Sequence, residues 1–270
     1  MKKIYNQIRM RNEDEYKKVL DCLMFKDGSM AFSKFKEVPE SLLLTFVPVY
    51  KWEIVPYLFR DNRNLKEVRK EIEDLEKEYS YKLNIKTDDI SLEKLRRSYQ
   101  EDEDIFYGDL GFNSIVDYSK NIVLNKLQYN VYAWDEWARQ NWGTPQEGEN
   151  FMTQDELFGV FFMSDETGPI ILLKDIAKSK KVPIYVTTID SEFQDGAEEI
   201  IINSKGDIEK DNKYEPNSFE TFSLISKFYD PDQNLIRYKN GKIVYKDESA
   251  KKHKIKESNL FEEFIKNGSK

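Results

Sequence analysis

The 270-residue chain is poor in the residues that build disulfides and zinc sites, with one cysteine, Cys22, and one histidine, His253. A disulfide needs two cysteines, and a structural zinc site needs a set of Cys or His ligands, so neither can form within the chain. The sequence also lacks Gly-x-Gly-x-x-Gly and Walker A loops, so no nucleotide site and no cofactor are predicted. The scarcity of cysteine fits a reducing compartment.

Long apolar segments are missing as well. The most apolar run, residues 42–50, is too short to span a bilayer and contains Pro48. The N-terminus, MKKIYNQIRMRNEDE, lacks the apolar core of a signal peptide. We therefore expect a cytoplasmic protein with no membrane partner.

The charge balance disfavours a generally basic surface. The chain has 42 basic and 50 acidic residues, for a net charge of −8. Nucleic acid remains a possible partner on this evidence, but not the favoured one. Aromatic residues make up 14% of the chain, which predicts that most of it folds, because disordered segments contain few aromatics.

The chain is predicted to open with a strand and a helix. Ile4, Ile8 and Met10 alternate with other residues at the period of a strand. Asn12, followed three residues later by Glu15, has the signature of a capping box and marks the start of the helix. Next, residues 41–128 are interpreted as a mostly helical insertion.

Two helices are predicted within this insertion. Apolar residues recur at helical spacing over 61–83, and residues 90–99 form a second, shorter candidate. The apolar stripe lasts less than three heptads, which favours a packed helical hairpin over a dimeric coiled coil.

The second half of the chain alternates strands with a helix. Buried strands are predicted at 156–164 and 182–190, with a helix beginning near Pro169 between them and another strand before Lys205-Gly206.

The C-terminal 60 or so residues have a different texture. Residues 211–222 are interpreted as a loop, and Asn240-Gly241 marks the turn of a hairpin. A short helix with Asn259 as its cap is predicted near the end.

The stretch WDEWARQNWGTPQEGENF contains three of the four tryptophans. Trp134, Trp137 and Trp142 form either a platform that stacks bases or a ligand, or a packed helix end that Gly143 terminates. Packing is favoured, because aromatic rings at helical spacing usually belong to a core. Asn141 is expected to hydrogen-bond a nearby backbone group.

Three segments resemble the YubB ferredoxin-like family, also called Api92-like. They are FSKFKEVPESL (32–42), WARQNWGTPQEGENF (137–151) and FFMSDETGPIILLKDIAKSKKVPIYVTTIDSEF (161–193). Asn-Trp-Gly-Thr is the specific part of the match. The family's Lys-Trp is replaced by Pro-Gln at 145–146, and its Trp-Ser-Pro-Pro turn is not present at 164–169.

The resemblance extends over about residues 1–40 and 130–210. It implies an α+β fold, with a ferredoxin-like antiparallel sheet and helices on one face. The predicted organisation is a core of residues 1–40 and 129–210, the insertion at 41–128, and an extension at 211–270 with a hairpin and a short helix. The family belongs to plasmids, phages and other mobile elements, and the resemblance implies no reaction.

Three functions are compatible with the sequence. We favour a non-catalytic accessory protein of a mobile element that contacts an unknown host or element-encoded protein. The first alternative is a single-stranded nucleic-acid binder that uses aromatics on an open sheet face, with Tyr5 and Tyr185 as candidates. The second is a carboxylate-metal enzyme resembling a nuclease, with Asp190 and Asp195 as ligands.

Few residues are singled out for chemistry. The candidate binding residues are Trp134, Trp137, Asn141, Trp142, Gly143, Thr144, Tyr5 and Tyr185. No catalytic residue and no metal site are predicted, because the acidic runs 101–104 and 190–195 fit solvated surfaces better. His253, within KKHKIK, is expected in a solvated tail, and Cys22 is expected to be a small buried residue.

Overall fold

The structure, a computed structural model, describes residues 2–43, 70, 121, 124–126, 128–131, 133–192, 195–228 and 232–267. The predicted helix at 61–83, apart from Lys70, the helix at 90–99 and the acidic run 101–104 lie outside these residues. The chain divides into two compact units, one formed by Met1–Glu37 with Arg139–Lys270 and the other by Val38–Ala138.

The first unit contains a six-stranded antiparallel sheet in the order β2-β3-β1-β4-β5-β6. The strands are β1 (Lys3–Arg9), β2 (Glu149–Gln154), β3 (Gly159–Asp165), β4 (Ile184–Asp190), β5 (Ala197–Ile202) and β6 (Ile208–Tyr214). One core helix follows β1 and another follows β3. With these helices, the first four strands have the β-α-β-β-α-β order of ferredoxin-like folds. The predicted α+β fold class is confirmed, and β5 and β6 extend the sheet beyond β4.

Two helices belong to this ferredoxin-like core, α1 (Glu13–Leu23) and α4 (Ile170–Lys180), and they pack against each other. Asn12 accepts a hydrogen bond from the backbone N–H of Glu15 at 3.0 Å, as the capping signature predicts. Pro169 immediately precedes α4, where its missing N–H costs nothing. Both helix starts could therefore be read from the sequence.

The front face of the sheet carries fully buried side chains, among them Ile8, Phe162 and Val186. The cross-strand register places these three on the same face. Phe32, in the 3-10 turn that follows α1, places its ring centroid 5.5 Å from that of Phe162. This face holds the core of the ferredoxin-like part, and Cys22 is buried in α1 as predicted.

The opposite face of the sheet is covered by the C-terminal part of the chain. Its elements are α5 (Phe219–Phe228), β7 (Ile236–Lys239), β8 (Lys242–Tyr245) and α6 (Asn259–Lys266). Helix α5 and the β7-β8 hairpin pack over Ile189 and Ala197, and α6 packs over Tyr185 and Ile201. The extension therefore buries a second apolar layer.

The predicted hairpin and terminal helix are confirmed. Asn240 and Gly241 both have positive φ, 52° and 78°, as a tight hairpin turn requires. Helix α6 begins at Asn259, but the capping side chain is that of Ser258, which accepts from the backbone N–H of Phe261. The predicted cap was thus one residue too late.

Three elements lie where the sequence indicated no helix or strand. Residues 211–214 lie in β6, and α5 occupies part of the predicted loop at 211–222. β2 begins within the last three residues of the tryptophan stretch, where no strand was predicted. β2 and β6 are edge strands with mostly exposed side chains, so they lack the apolar alternation that identifies a half-buried strand.

The prediction that His253 lies in a solvated tail is wrong. Its ring is partly buried among the rings of Phe219, Phe222 and Tyr238, with centroids 5.5 to 6.1 Å away. Its Nε2 lies 3.1 Å from the carbonyl oxygen of Tyr238, and its backbone N–H donates to Gln233 at 2.8 Å. The flanking lysines are exposed, so the basic run gave no indication that His253 packs against other rings.

The second unit is described by fewer residues. Helix α2 (Glu40–Leu43) begins directly after Pro39, and Asn121 and Asn125 donate to the carbonyl oxygen of Ser41 at 3.0 and 3.4 Å. Helix α3 (Trp134–Asn141) starts at the end of this unit. Among the helices that the structure describes, none has the length and apolar character needed to cross a bilayer.

Candidate functional site

The tryptophan stretch forms a corner that packs inside the protein. Trp142 is fully buried, and its Nε1–H donates to the carbonyl oxygen of Lys36 at 3.0 Å. Its ring centroid lies 5.8 Å from that of Phe32 in an edge-on contact. A buried indole whose N–H is satisfied is a structural anchor, and this ring is not accessible for stacking.

Gly143 and Thr144 dock this corner on the turn between β3 and α4. Gly143 has a φ of +93°, and a Cβ added there would lie 3.3 Å from the backbone nitrogens of Ile170 and Ile171. Thr144, also fully buried, donates from Oγ1 to the carbonyl oxygen of Asp165 at 2.8 Å. The specific part of the sequence motif thus serves backbone geometry and close packing.

The other candidates in this stretch lie on α3. Trp137 is buried at 8% exposure, whereas Trp134 and Asn141 are partly buried. The structure therefore brings Trp142, Gly143 and Thr144 together and places Trp134 on an earlier turn of the helix.

The two tyrosine candidates share the rear face, defined here as the sheet face that carries Tyr5, Arg9, Phe161, Tyr185 and Glu199. Tyr185 was expected on an open face, and this is wrong: it is 2% exposed, because α6 covers it. Tyr5 is partly buried, with its ring centroid 5.9 Å from that of Phe161. The sequence could not reveal the cover, since α6 begins 74 residues after Tyr185 in the chain.

A buried carboxylate lies beside Tyr185. The carboxylate of Glu199, fully buried, accepts hydrogen bonds from the hydroxyls of both Tyr185 and Tyr214, the second at 2.6 Å. The hydroxyl of Tyr185 also lies 3.2 Å from Oγ of Ser258, at the start of α6. These bonds fix the orientation of the Tyr185 ring and connect β4, β5 and β6 to α6.

Replacing Tyr214 with phenylalanine is expected to reduce the alkaline sensitivity of the fold. Burial and then Glu199 raise the pKa of Tyr214 to about 12. Folding favours the protonated hydroxyl. Its contribution to the free energy of unfolding is therefore complete below the ordinary pKa near 10 and is lost as the pH rises towards 12. Urea unfolding from pH 8 to 11.5 should show a steeper loss for the wild type than for Tyr214→Phe.

The matched control for this prediction is Tyr245→Phe, because Tyr245 is 59% exposed. Equal slopes for the wild type and Tyr214→Phe above pH 10 would contradict the assigned hydrogen bond.

Arg9 is a rear-face residue that sequence reasoning missed. It is 8% exposed, and its guanidinium carbon lies 3.6 Å from the centroid of the Phe261 ring. Glu257 lies 3.2 Å from Nη1 and is also paired with Lys227 at 2.8 Å. Burial lowers the pKa of Arg9, and Glu257 partly opposes this effect. The sequence contained one signal for Arg9, namely an arginine among strand positions that are buried. Such a charge is rarely buried unless it is paired, so a partner was to be expected.

The predicted carboxylate pair at 190–195 lines a cleft of about 230 Å³. Asp190 accepts the backbone N–H of Asp195 at 3.3 Å, and the carboxylate of Asp195 pairs with Lys2. Glu198, in the same cleft, pairs with Lys213 at 3.1 Å. Within the described ranges, no three acidic, histidine or cysteine side chains are grouped as a metal would require.

The two edges of the sheet differ in character. Nothing among the described residues pairs with the outer side of β2, where Met152 is 55% exposed. The neighbouring Phe151 points to the front face and stacks on Phe162, with ring centroids 5.2 Å apart. A register shift lies between Glu149 and Met152, and Asn150 within it has a φ of +53°. The strand is thus anchored by one ring and, as far as the described residues extend, is open along its outer side.

Comparisons with known proteins give a distant similarity to a solved structure. No protein-family model and no curated protein sequence matches this chain. Among solved structures, the chain is similar to the crystal structure of a protein api92 from Yersinia pseudotuberculosis, with 12% sequence identity and a TM-score of 0.36. The similarity covers 79% of this chain and 98% of that one.

Proposed function

We propose that this chain is a non-catalytic accessory protein of a bacterial mobile element, and that it binds an extended segment of a partner protein along the outer edge of β2. The motif resemblance supports the mobile-element setting. The single observation that carries the binding mode is the open β2 edge. An unpaired edge strand offers backbone N–H and C=O groups that a partner strand can pair with.

The contrast between the two edges supports this choice. β6 carries charges at four of its seven positions, Glu209, Lys210, Asp211 and Lys213, and charged side chains are a common protection of edge strands. β2 carries one charge, Glu149, which pairs with Lys3 at 3.0 Å. The protected edge and the open edge therefore belong to the same sheet.

The β2 edge also offers apolar contacts. Met152 lies on the edge strand, and Leu157, 41% exposed, follows in the next 3-10 turn. Because alternate residues of a bound strand face the same side, a partner segment with an apolar residue opposite Met152 would gain from both backbone pairing and side-chain burial. The stack of Phe151 on Phe162 holds the strand ready for this contact.

Changing Met152 to lysine is expected to reduce partner capture about tenfold or more, since a charged edge side chain opposes strand addition. Immobilised wild type and Met152→Lys would be exposed to nuclease-treated bacterial lysate, and retained proteins would be quantified by mass spectrometry. Overlapping peptides from a retained protein would then be titrated to locate an extended segment.

Ile208→Lys is the matched control, because Ile208 is 45% exposed on the opposite edge of the same sheet. The proposal requires a protein that the wild type and Ile208→Lys retain and Met152→Lys loses. Equal retention of that protein by the wild type and both variants would overturn the proposal. So would a wild type that retains no protein and binds only nucleic acid from lysate without nuclease treatment.

A further inference from the structure

The carboxylates in α6 and just before it pair with basic side chains of the neighbouring elements, as a bound anion would. Glu257 pairs with Arg9 and Lys227, and Glu263 contacts Lys210 with both carboxylate oxygens at 2.5 Å. Three cations from β1, α5 and β6 thus converge on two carboxylates that belong to α6 and the residue pair before it.

The aromatic rings of α6 lie between the charged pairs made by Glu257 and by Glu263. Phe261 lies over the guanidinium of Arg9, and its ring centroid is 4.9 Å from that of Tyr185. Phe264 approaches the same tyrosine at 5.9 Å. Rings placed on an arginine and a tyrosine, flanked by anions on lysines, reproduce the two contacts that proteins make with single-stranded nucleic acid, base stacking and phosphate pairing.

The rear face beneath α6 is unusually polar for a core that only a helix covers. Arg9 and Glu199 are buried there, and Nε of Arg9 is buried without a hydrogen-bond partner. Glu199 is satisfied by the hydroxyls of Tyr185 and Tyr214 and so holds the tyrosine ring in place. A surface that evolved only to pack on Phe261 would gain more from aliphatic residues than from a buried guanidinium.

We infer that the rear face around Arg9 and Tyr185 is a binding site for single-stranded nucleic acid, which α6 occupies as an internal substitute until it is displaced. Phe261 takes the place of a stacked base, and Glu257 and Glu263 take the places of phosphates. This site does not use the β2 edge, and its ligand is a nucleic acid, whereas the β2 edge is proposed to bind a protein.

The way α6 is attached suits such a displacement. The helix has eight residues, and an isolated helix of that length is not stable in water, so its contacts with the sheet hold it in place. The preceding residues 246–258 contain no helix or strand, and Lys251, Lys252, Lys254 and Lys256 within them are mostly exposed. These lysines would flank a nucleic-acid strand bound in place of the helix.

The test uses the full chain. Glu257→Gln with Glu263→Gln removes the internal anions, and binding of a fluorescein-labelled single-stranded oligonucleotide of about 12 nucleotides would be followed by anisotropy at low salt. The double variant is expected to bind at least about tenfold more tightly than the wild type. Adding Tyr185→Leu should remove most of this gain, because a stacked base contributes about tenfold through its ring.

A charge-matched control is Glu248→Gln with Glu262→Gln, which removes two exposed carboxylates outside the contact with the rear face. An equal gain from both pairs would show a general effect of net charge and overturn the inference. So would a gain that survives Tyr185→Leu. Circular dichroism would check that each variant is folded.

Hydrogen exchange of α6 shows whether the glutamine pair loosens the helix. If α6 stays protected, Phe264→Ser weakens its contact with Tyr185 directly, and the same binding comparison is made with that variant. A folded chain with α6 released that binds no oligonucleotide, or that self-associates through the rear face, overturns the inference.

Discussion

Replacing Trp142 with alanine is expected to lower the free energy of unfolding by about 3–5 kcal/mol, the usual cost of deleting a large buried aromatic side chain. The ring is fully buried, and its loss leaves a cavity beside Phe32. The carbonyl of Lys36 also loses the indole N–H that it accepts at 3.0 Å. Urea unfolding followed by circular dichroism measures the change.

Two further variants separate the parts of this effect. Trp142→Phe keeps part of the ring volume and removes the donor, so its expected cost is smaller, about 1–3 kcal/mol, from the lost hydrogen bond and a smaller cavity. Tyr245→Ala, at an exposed ring, should change stability by less than about 0.5 kcal/mol. A stable Trp142→Ala variant would show that the tryptophan is not an anchor and would reopen its role as a stacking residue.

Gly143→Ala is expected to cost about 2–4 kcal/mol, from two separable causes. The first is the positive φ of +93°, which costs an L-residue roughly 1–2 kcal/mol. The second is crowding, because the new Cβ would lie 3.3 Å from the backbone nitrogens of Ile170 and Ile171 at the start of α4. Neither atom can move without shifting the helix.

Gly28 provides the matched control for the conformational part. Its φ is +85°, and a Cβ added there would meet nothing within 4 Å. Gly28→Ala should therefore show the cost of the positive φ alone, roughly 1–2 kcal/mol, and the excess at Gly143 measures the close approach. Equal losses at the two glycines in urea unfolding would argue against tight docking of the corner on α4.

The sequence was most informative where local chemistry decides the structure. The cap at Asn12, the helix start after Pro169 and the Asn240-Gly241 turn depend on neighbours in the chain, and all were predicted correctly. β1 was recognisable from the alternation of Ile4, Ile8 and Met10, and β4 because a buried central strand is rich in apolar and β-branched residues. For the same reason β2 and β6, exposed at the edges, were missed.

The candidate site depended on contacts that no local pattern contains. Tyr185 alternates correctly with the front-face residues of β4, so its assignment to the rear face follows from the sequence, but its burial does not. Arg9 similarly becomes notable only beside Phe261 and Glu257, which lie some 250 residues further along the chain. His253 shows the same limit, because a basic run hides its packing against Tyr238.

By itself the sequence indicated the α+β class through its resemblance to a known family. It also determined the cap at Asn12, the Asn240-Gly241 turn, the alternation of residues between the two sheet faces in β1 and β4, and the absence of disulfide and Cys/His zinc chemistry. These depend on residue type and on spacing over a few positions. The tertiary structure decided that the C-terminal extension covers the rear face, that the tryptophan corner is buried, and that the β2 edge stays open in the part of the chain the structure describes. Such features arise when segments far apart in sequence compete to bury the same surface, and only the folded arrangement shows which segment is buried there.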